Sequence, residues 1–410
     1  MKNTHEVLAP VGDWECLRFA VLYGADAVYL GSEIFGMRSS AARFDDDLLE
    51  KAVHFAHKND VKVYLTCNTV PTNREVEQLP KFMQNAQDIG VDALIVSDFG
   101  TIMEAKKFAP KIPLHISTQA GVMNYKTANA LYEIGAKRVV LARELPLEDI
   151  KIISEKTPHD LEIECFVHGA TCMSFSGRCL ISQYMVGRDA NRGECAQPCR
   201  WGYHLVEEKR PNQFFPIFED KKGSYILNSK DLCLIEHLDK LSDAGVTSFK
   251  IEGRAKSSYY VSVVTNSYRM ATDILEKCDD YFLPEWIKNE LFKVSHRHYH
   301  EGFLFGKPEQ GQYYENGGYV RNYDVVAIID DCDGKFLYCT QKNKFEVGDV
   351  LEIFQPKEKP FSFKVEKILN EQKESIVSAK HSQMKLCIAF DGMVKKGGII
   401  RKCLKKDLSL

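Results

Sequence analysis

The chain of 410 residues lacks several features that would assign it to a familiar class. No uncharged apolar run approaches the roughly eighteen residues of a membrane span, and the N-terminal stretch MKNTHEVLAPVGDWE has no apolar secretory segment. No glycine-rich dinucleotide fingerprint follows the first predicted strand, and the peptidase motifs GxSxG and HExxH are missing. The net charge of −3 does not favour bulk coating of nucleic acid, so any RNA contact requires a local basic patch. We therefore expect a cytoplasmic protein with reduced thiols and no membrane contact.

Thirteen cysteines are present, and four of them lie in one glycine- and arginine-rich stretch. Cys172, Cys179, Cys195 and Cys199 are separated by six, fifteen and three residues. Clustered thiols in a chain without an export signal indicate a metal site rather than disulfides. Four thiolates can close a structural zinc site or hold an iron–sulfur cluster. The close cysteine pairs of zinc ribbons are missing, which favours iron–sulfur and leaves zinc as the alternative.

The first 250 residues alternate short β-rich runs with amphipathic helical stretches, which indicates a parallel α/β fold. Glycines at 24, 90, 135 and 245 each precede a predicted strand and are expected to end the preceding helix in the left-handed conformation. The pattern predicts a TIM-like (β/α)8 barrel rather than an open doubly wound sheet. The eight strands are expected at Val7–Pro10, Ala27–Leu30, Val61–Cys67, Ala93–Val96, Leu114–Ser117, Arg138–Ala142, Leu161–Val167 and Thr247–Ile251.

The repeating pattern breaks after the seventh predicted strand. An insertion over residues 169–225 carries the four cysteines and is too long for an ordinary βα loop. It begins at the C-terminal end of a barrel strand, where active sites of such barrels collect. A helix over Asp231–Ala244 is expected to follow it. The barrel domain is predicted to cover 1–310, and alternating patterns predict a small antiparallel β-barrel domain over 323–405, for docking or RNA positioning.

Polar residues at the predicted strand ends are candidates for a substrate site, although about half of such groups are expected only to cap the next helix. The densest group is KIEGR at 250–254, where two cations and a carboxylate surround a glycine. Arginines among the cysteines can grip a dicarboxylate or phosphates, or can simply offset thiolate charge. The candidates for substrate contact are Arg38, His168, Arg178, Arg188, Lys250, Glu252 and Arg254.

The tract HRHYHE at 296–301 carries alternate histidines, which would lie on one side of an extended segment. A metal site is geometrically feasible there. Such a run is more often a solvated or interface segment, and we favour that interpretation.

Several motifs together resemble one family. The segment ECFVHGA at 164–170, followed by Cys172, Gly177-Arg178-Cys179 and Ser182, closely resembles the signature of the collagenase-like peptidase family of unknown catalytic type, peptidase family U. LAPVG from residue 8, GADAVYLG from 24, NSKDLC from 228, KIEGR from 250 and HRHYHEGF from 296 also fit. The resemblance covers nearly the whole chain.

The resemblance implies a function that the residues alone do not. The better understood members of this family resemble iron–sulfur proteins that hydroxylate RNA or a quinone precursor without dioxygen. Length and the terminal β-domain make the chain most similar to the branch acting in prephenate-dependent hydroxylation of the tRNA wobble uridine. The resemblance implies tRNA as a partner, a protein electron donor, prephenate as co-substrate and a 4Fe–4S cluster on the four clustered cysteines.

Alternatives remain open beside that hypothesis. In the quinone branch the last ligand lies further downstream, which makes Cys233 an alternative to Cys199. The rival functions are a collagenase-like peptidase, hydroxylation of ribosomal RNA, and a zinc-stabilised RNA-binding protein.

Overall fold

The structure, a computed structural model, describes residues 4–32, 34–36, 44–172, 174, 179–190, 193–201, 204–206, 214–216, 230–306 and 320–404. The chain divides into two compact units. The first comprises residues 1–17, 26–255 and 297–319, and the second comprises 18–25, 256–296 and 320–410. This division places residues 256–296 in the second unit, whereas the boundary expected from the sequence lies after residue 310.

The first unit is built on a closed parallel barrel. Strands β1 to β7 pair in sequential order, and β11 pairs with both β1 and β7, so that eight parallel strands form a ring. Each of these eight strands overlaps one of the eight runs predicted from the sequence, and the TIM-like barrel is confirmed. The strands up to residue 300 are β1 Glu6–Pro10, β2 Ala27–Gly31, β3 Lys62–Cys67, β4 Ala93–Val96, β5 Leu114–Ile116, β6 Ala136–Val140, β7 Glu162–Ala170, β8 His204–Val206, β9 Phe214–Pro216, β10 Asp231–Cys233, β11 Ser248–Ile251 and β12 Tyr299–His300.

Two of the helices end at glycines, as the sequence predicts. Gly90 and Gly245 adopt positive φ of 85° and 89° at the ends of two helices, and a Cβ at Gly245 would lie 1.9 Å from Ser154 Oγ. Only glycine fits there. No described helix is long and apolar enough to cross a bilayer. The helices are α1 Trp14–Leu22, α2 Asp46–His57, α3 Leu79–Ile89, α4 Phe99–Phe108, α5 Tyr125–Glu133, α6 Leu147–Glu155, α7 Ile181–Val186, α8 Leu238–Asp243, α9 Ser258–Lys277 and α10 Glu285–Glu290, with 3-10 turns at Val76–Gln78, Thr118–Ala120, Pro198–Arg200, Ile235–His237 and Leu291–Lys293.

Strand β7 extends beyond the barrel ring. Its last three residues, from His168 to Ala170, pair antiparallel with β10, and β10 pairs in parallel with β12. The helix predicted over Asp231–Ala244 is therefore wrong at its start, because Asp231–Cys233 complete this edge ladder and only the later part is helical, as α8. Within the insertion, β8 and β9 form an antiparallel hairpin.

The second unit contains α9, α10 and an antiparallel half-barrel, in agreement with the predicted all-β module. Its main sheet has eight strands in the order β17-β16-β22-β13-β14-β21-β18-β19, and β15 pairs with β20. The Arg401 side chain is fully buried and binds Glu290 of α10 and Glu352 of β16. The strands are β13 Tyr323–Cys332, β14 Phe336–Gln341, β15 Phe345–Glu346, β16 Val350–Phe354, β17 Phe361–Lys364, β18 Ile368–Asn370, β19 Ser375–Ile376, β20 Ser378–Ala379, β21 Lys385–Ala389 and β22 Ile399–Cys403.

Candidate functional site

A column of polar and aromatic side chains runs along β7 inside the barrel. Alternate residues of a strand point to the same side, and Glu164 and Phe166 occupy successive positions of this kind, whereas a register shift against β11 precedes His168. Glu164 has no exposed area and accepts hydrogen bonds from Lys250 Nζ at 2.6 Å and Arg138 Nη1 at 3.0 Å. The column leads from the N-terminal end of the barrel to its mouth, the C-terminal ends of the strands.

The N-terminal end of the column is closed by ion pairing. Arg138 Nη1 lies 2.5 Å from Glu6 Oε1, and the Tyr64 hydroxyl donates to Glu6 Oε2 at 2.5 Å. Burial would raise the pKa of Glu6, but the Arg138 charge and the hydrogen bonds from Arg138, Tyr64 and Ser248 hold it below its usual value. Glu6 is therefore charged at neutral pH, and its contacts with Arg138 and Tyr64 close this end of the barrel.

Cations and rings alternate in the middle of the column. Lys250 Nζ lies 4.6 Å from the ring centre of Tyr29 and 5.3 Å from that of Phe166. The guanidinium of Arg143 covers Phe166 at 3.8 Å from the ring centre. Aromatic faces stabilise such cations while water is excluded. The positive charge of Lys250 is already engaged by Glu164 in this arrangement.

Arg143 connects the column to the rim of the mouth. Its Nη1 donates to the carbonyl oxygen of Ala170 at 2.5 Å, and its Nη2 lies 3.3 Å from Glu252 Oε2. Its Nε is buried and has no hydrogen-bond partner in the part of the chain that the structure describes. A buried donor of this kind is costly unless a ligand or water satisfies it.

Arg254 lies in a cradle that requires glycine on two strand ends. Its Nη1 donates to Thr66 Oγ1 at 3.1 Å. A Cβ at Gly31 would lie 2.5 Å from Nη1 of Arg254, and a Cβ at Gly12 would lie 2.1 Å from its carbonyl oxygen. The LAPVG and GADAVYLG motifs therefore supply space for this arginine.

His168 completes the mouth from the end of β7. Its side chain is buried, and its Nε2 lies 3.4 Å from the hydroxyl oxygen of Tyr299 on β12. Cys233 is the cross-strand partner of His168 on β10.

The four clustered cysteines lie on the segment that leaves β7. Cys172 is exposed two residues beyond the strand, and the other three are half-buried. Ser182 Oγ of α7 accepts a hydrogen bond from Ala196 N at 3.0 Å, and Cys195 Sγ accepts one from Gln197 N at 3.4 Å. All thirteen cysteines are described, and none forms a disulfide.

The residues as placed do not fit a metal site. Among the described residues, no group of three or more His, Cys, Asp or Glu side chains is arranged to hold a metal ion. A four-thiolate site would need the four sulfur atoms to converge on one centre.

The predicted substrate residues have different outcomes. Glu252 N donates to the backbone oxygen of His168 at 2.9 Å, Arg254 binds Thr66 at the end of β3, and Lys250 lies deeper, beside Phe166. Arg188 is exposed on the loop after α7. Arg38 and Arg178 lie outside the described residues.

Some strand-end groups only cap helices, as expected for about half of them. Asp98 accepts a hydrogen bond from Thr101 N at the start of α4, and Ser117 accepts one from Gln119 N. The sequence-based choice missed Glu164, Thr66 and Tyr299 and did not select Arg143. The signal for Glu164 was its alternation with Phe166 and His168 in ECFVH.

Sequence comparison then decides the family. The profile described as peptidase family U32 matches residues 12–313, and that of the peptidase family U32 C-terminal domain matches residues 321–401. The chain belongs to peptidase family U32. Both units of this U32 protein thus have counterparts in the family.

Curated U32 relatives are similar over most of their length. The tRNA hydroxylation protein P1 of Bacillus subtilis is 35% identical over 97% of this chain and 94% of the relative. The tRNA hydroxylation protein P of Escherichia coli is 36% identical over 86% of each chain. A protein from Methanocaldococcus jannaschii named as an uncharacterized protease is 43% identical over 85% of this chain and 81% of the relative.

Proposed function

We propose that this U32 protein is an enzyme of tRNA modification that forms 5-hydroxyuridine at the wobble position, without dioxygen and with prephenate as co-substrate. The observation that carries the proposal is its likeness to two tRNA hydroxylation proteins at 35% and 36% identity, over 97% and 86% of this chain. The likeness includes the barrel and the C-terminal module together. A protein electron donor and a cytoplasmic location are parts of the same proposal.

The barrel mouth supports an anionic co-substrate. Arg143 and Arg254 are guanidinium groups at strand ends, each held by a neighbouring oxygen of Glu252 or Thr66. Guanidinium groups bind carboxylates in a planar, bidentate manner, which suits a dicarboxylate such as prephenate. In this proposal Arg143 and Arg254 bind and orient the substrate, and His168 holds or moves a proton at Nε2.

A 4Fe–4S cluster on Cys172, Cys179, Cys195 and Cys199 is a further part of the proposal. Its support is that four thiols lie within one insertion and form no disulfides. Cluster binding would require these thiols to move together from their described positions. Zinc is the alternative metal.

The function is tested by complementation. The chain is expressed in an Escherichia coli strain that lacks its own tRNA hydroxylation protein and makes no 5-hydroxyuridine, and tRNA nucleosides are measured by mass spectrometry. We expect 5-hydroxyuridine with the wild-type chain and none with the vector. Unmodified tRNA in spite of soluble expression would contradict the proposal, and new hydroxylated nucleosides in ribosomal RNA instead would establish the ribosomal alternative.

Peptidase activity, the second candidate, is supported by the family name and by the name of the archaeal relative. It is tested with the same protein, purified anaerobically, on gelatin. Cleavage that disappears in His168→Gln, but persists in the exposed-site control His159→Gln, would establish it. We expect no cleavage above that of a mock purification.

The cluster is tested by metal and sulfide analysis of anaerobically purified protein. We expect iron and sulfide in the wild type, lost in Cys199→Ala and retained in Cys233→Ala, with the exposed Cys278→Ala as the matched control. If iron and sulfide are retained in Cys199→Ala and lost in Cys233→Ala, Cys233 is the ligand in place of Cys199. Stoichiometric zinc in a colourless preparation would replace the cluster with a structural zinc site.

A further inference from the structure

The tract HRHYHEGF at 296–303 forms part of the barrel mouth, although it lies more than a hundred residues from His168 in sequence. Tyr299 pairs with Asp231 of β10, and β10 in turn pairs with the end of β7 that carries His168. Neighbouring strand residues point to opposite faces, so Tyr299 and His300 face opposite ways. Tyr299 faces His168, with ring centres 5.2 Å apart and the hydroxyl 3.4 Å from Nε2. At 3.4 Å this hydrogen bond is long.

A buried ion pair fixes the tract on one side of Tyr299. Arg297 Nη2 and Nε donate to Asp231 Oδ1 at 2.7 Å and 3.0 Å, and the Arg297 backbone N donates to Oδ2 at 3.0 Å. Both side chains are about 95% buried or more, with 5% and 3% of their area exposed. Three hydrogen bonds to one carboxylate set both the direction of the guanidinium and the path of the backbone.

A second set of contacts fixes the tract beyond Tyr299. Glu301 Oε1 lies 2.7 Å from His237 Nε2. Gly302 has a φ of 63°, and a Cβ there would lie 2.9 Å from Leu232 Cδ1 of β10, so the turn passes close to the strand because it carries a glycine. The tract is thus held rigidly on both sides of the tyrosine.

From this geometry we propose that Tyr299 is a positioning residue of the mouth, which fixes the ring orientation and the tautomer of His168. In this arrangement the Tyr299 hydroxyl donates to Nε2, so the ring proton is held at Nδ1 and the Nε2 lone pair is directed at the tyrosine hydroxyl. The buried Arg297–Asp231 pair is the frame that keeps the tyrosine in place. The inference deepens the proposed function and rests on it for the activity measurement alone.

The test removes one hydroxyl group. Tyr299→Phe is compared with Tyr132→Phe, whose hydroxyl donates to Asp160 at 2.8 Å on the exposed side of α5. The first measurement is the ring ¹⁵N chemical shifts of His168 in histidine-labelled full-length protein, assigned with His168→Gln. We expect the pattern of an Nδ1-protonated ring in the wild type and in Tyr132→Phe, and a mixture of tautomers in Tyr299→Phe.

The second measurement is 5-hydroxyuridine in the complementation strain at several values of medium pH. Tyr299→Phe is expected to lower the product about tenfold and to change its pH profile, because a positioned proton-transfer group contributes roughly 10²–10⁴-fold and the variant keeps the group but not its orientation. Tyr132→Phe should keep the wild-type level and profile. A structural role alone would lower the level of folded protein without changing the pH profile.

The outcomes separate the inference from the proposed function. Wild-type protein that makes no 5-hydroxyuridine defeats the function, while the ring signals still decide the role of Tyr299. Unchanged His168 signals in Tyr299→Phe overturn the inference, whatever the activity. If Tyr299→Phe does not fold, Asp231→Asn replaces it in the test, because this substitution loosens the frame but keeps the phenol. Wild-type His168 ring signals in Asp231→Asn would also overturn the inference.

Discussion

Two buried arginine networks, one in each unit, differ in how completely they are satisfied. Arg401 in the second unit donates from Nε to Glu352, from Nη1 to Tyr259 and from Nη2 to Glu290. The network along β7 is closed at Arg138 but ends at Arg143, whose Nε is buried without a hydrogen-bond partner among the described residues. Every guanidinium nitrogen of Arg401 has a partner, whereas Nε of Arg143 is left to be satisfied by a ligand.

The electrostatics of the two networks are otherwise alike. Burial would raise the pKa of Glu352, but the charges of Arg401 and Lys293 and their hydrogen bonds hold it below its usual value, as Arg138 does for Glu6. Glu6 and Glu352 are thus both charged at neutral pH. The open end, not the amount of buried charge, distinguishes the candidate site from the structural network.

Breaking the closed network should have the largest effect on stability. Arg401→Met leaves Glu290 and Glu352 without their main counter-charge, and the free energy of unfolding should fall by about 3–5 kcal/mol. Urea denaturation under reducing conditions measures the change. The exposed Arg321→Met, which breaks a surface pair with Asp324, should change it by less than about 0.5 kcal/mol. Loss of tRNA modification per folded Arg401→Met molecule would argue against a purely structural network.

Breaking the open network at its centre should affect stability and activity together. Glu164→Gln removes the carboxylate that binds both Lys250 and Arg138, which we expect to cost about 2–3 kcal/mol because Arg138 keeps Glu6. The matched change on the same strand is Glu162→Gln, whose side chain is 49% exposed and should cost less than about 1 kcal/mol. Both are compared by urea denaturation and by 5-hydroxyuridine per folded protein. Equal effects of the two substitutions would show that the interior column has no special role.

His300 should make the stability of the first unit depend on pH. Its burial, aided by the charge of Lys230, lowers its pKa to about 4 from the ordinary value of 6.5. The folded state then binds fewer protons than the unfolded state between these values, so stability is full above about 6.5 and falls as the pH drops toward 4, by up to about 2 kcal/mol. His300→Asn, whose side-chain oxygen can still accept from Gly302 N, should flatten this dependence, whereas the exposed His159→Gln should not. An unaltered slope in His300→Asn would assign the dependence to other groups.

Local pattern was sufficient to predict the barrel and not the chemistry of its interior. Strands such as Ala93–Val96 are short apolar runs after a helix-ending glycine, and such local signals suffice. Strand β10 was missed because its Asp231 is held by Arg297, 66 positions away in sequence. Likewise, no local pattern connects Tyr299 with His168, which are 131 positions apart. The contacts that define the mouth join segments that are distant in the sequence, and a single sequence does not show which of these segments the barrel brings together.

The smallest expected effect concerns Arg254, whose guanidinium occupies space that the missing side chain of Gly31 leaves open. Gly31→Ala would put a methyl group 2.5 Å from Arg254 Nη1, so the guanidinium must leave Thr66 Oγ1. Such overpacking at a rim should cost about 1 kcal/mol of stability, since the side chain can shift toward solvent. Thr66→Val removes the same hydrogen bond without the clash and serves as the matched variant. If Arg254 contacts the substrate, both variants should raise the substrate concentration needed for half-maximal modification more than they lower the maximal level. If only Gly31→Ala raises this substrate concentration, the position of the guanidinium matters and its bond to Thr66 does not. If neither variant raises it, Arg254 is a structural residue like Arg401, and the open end of the column is at Arg143 alone.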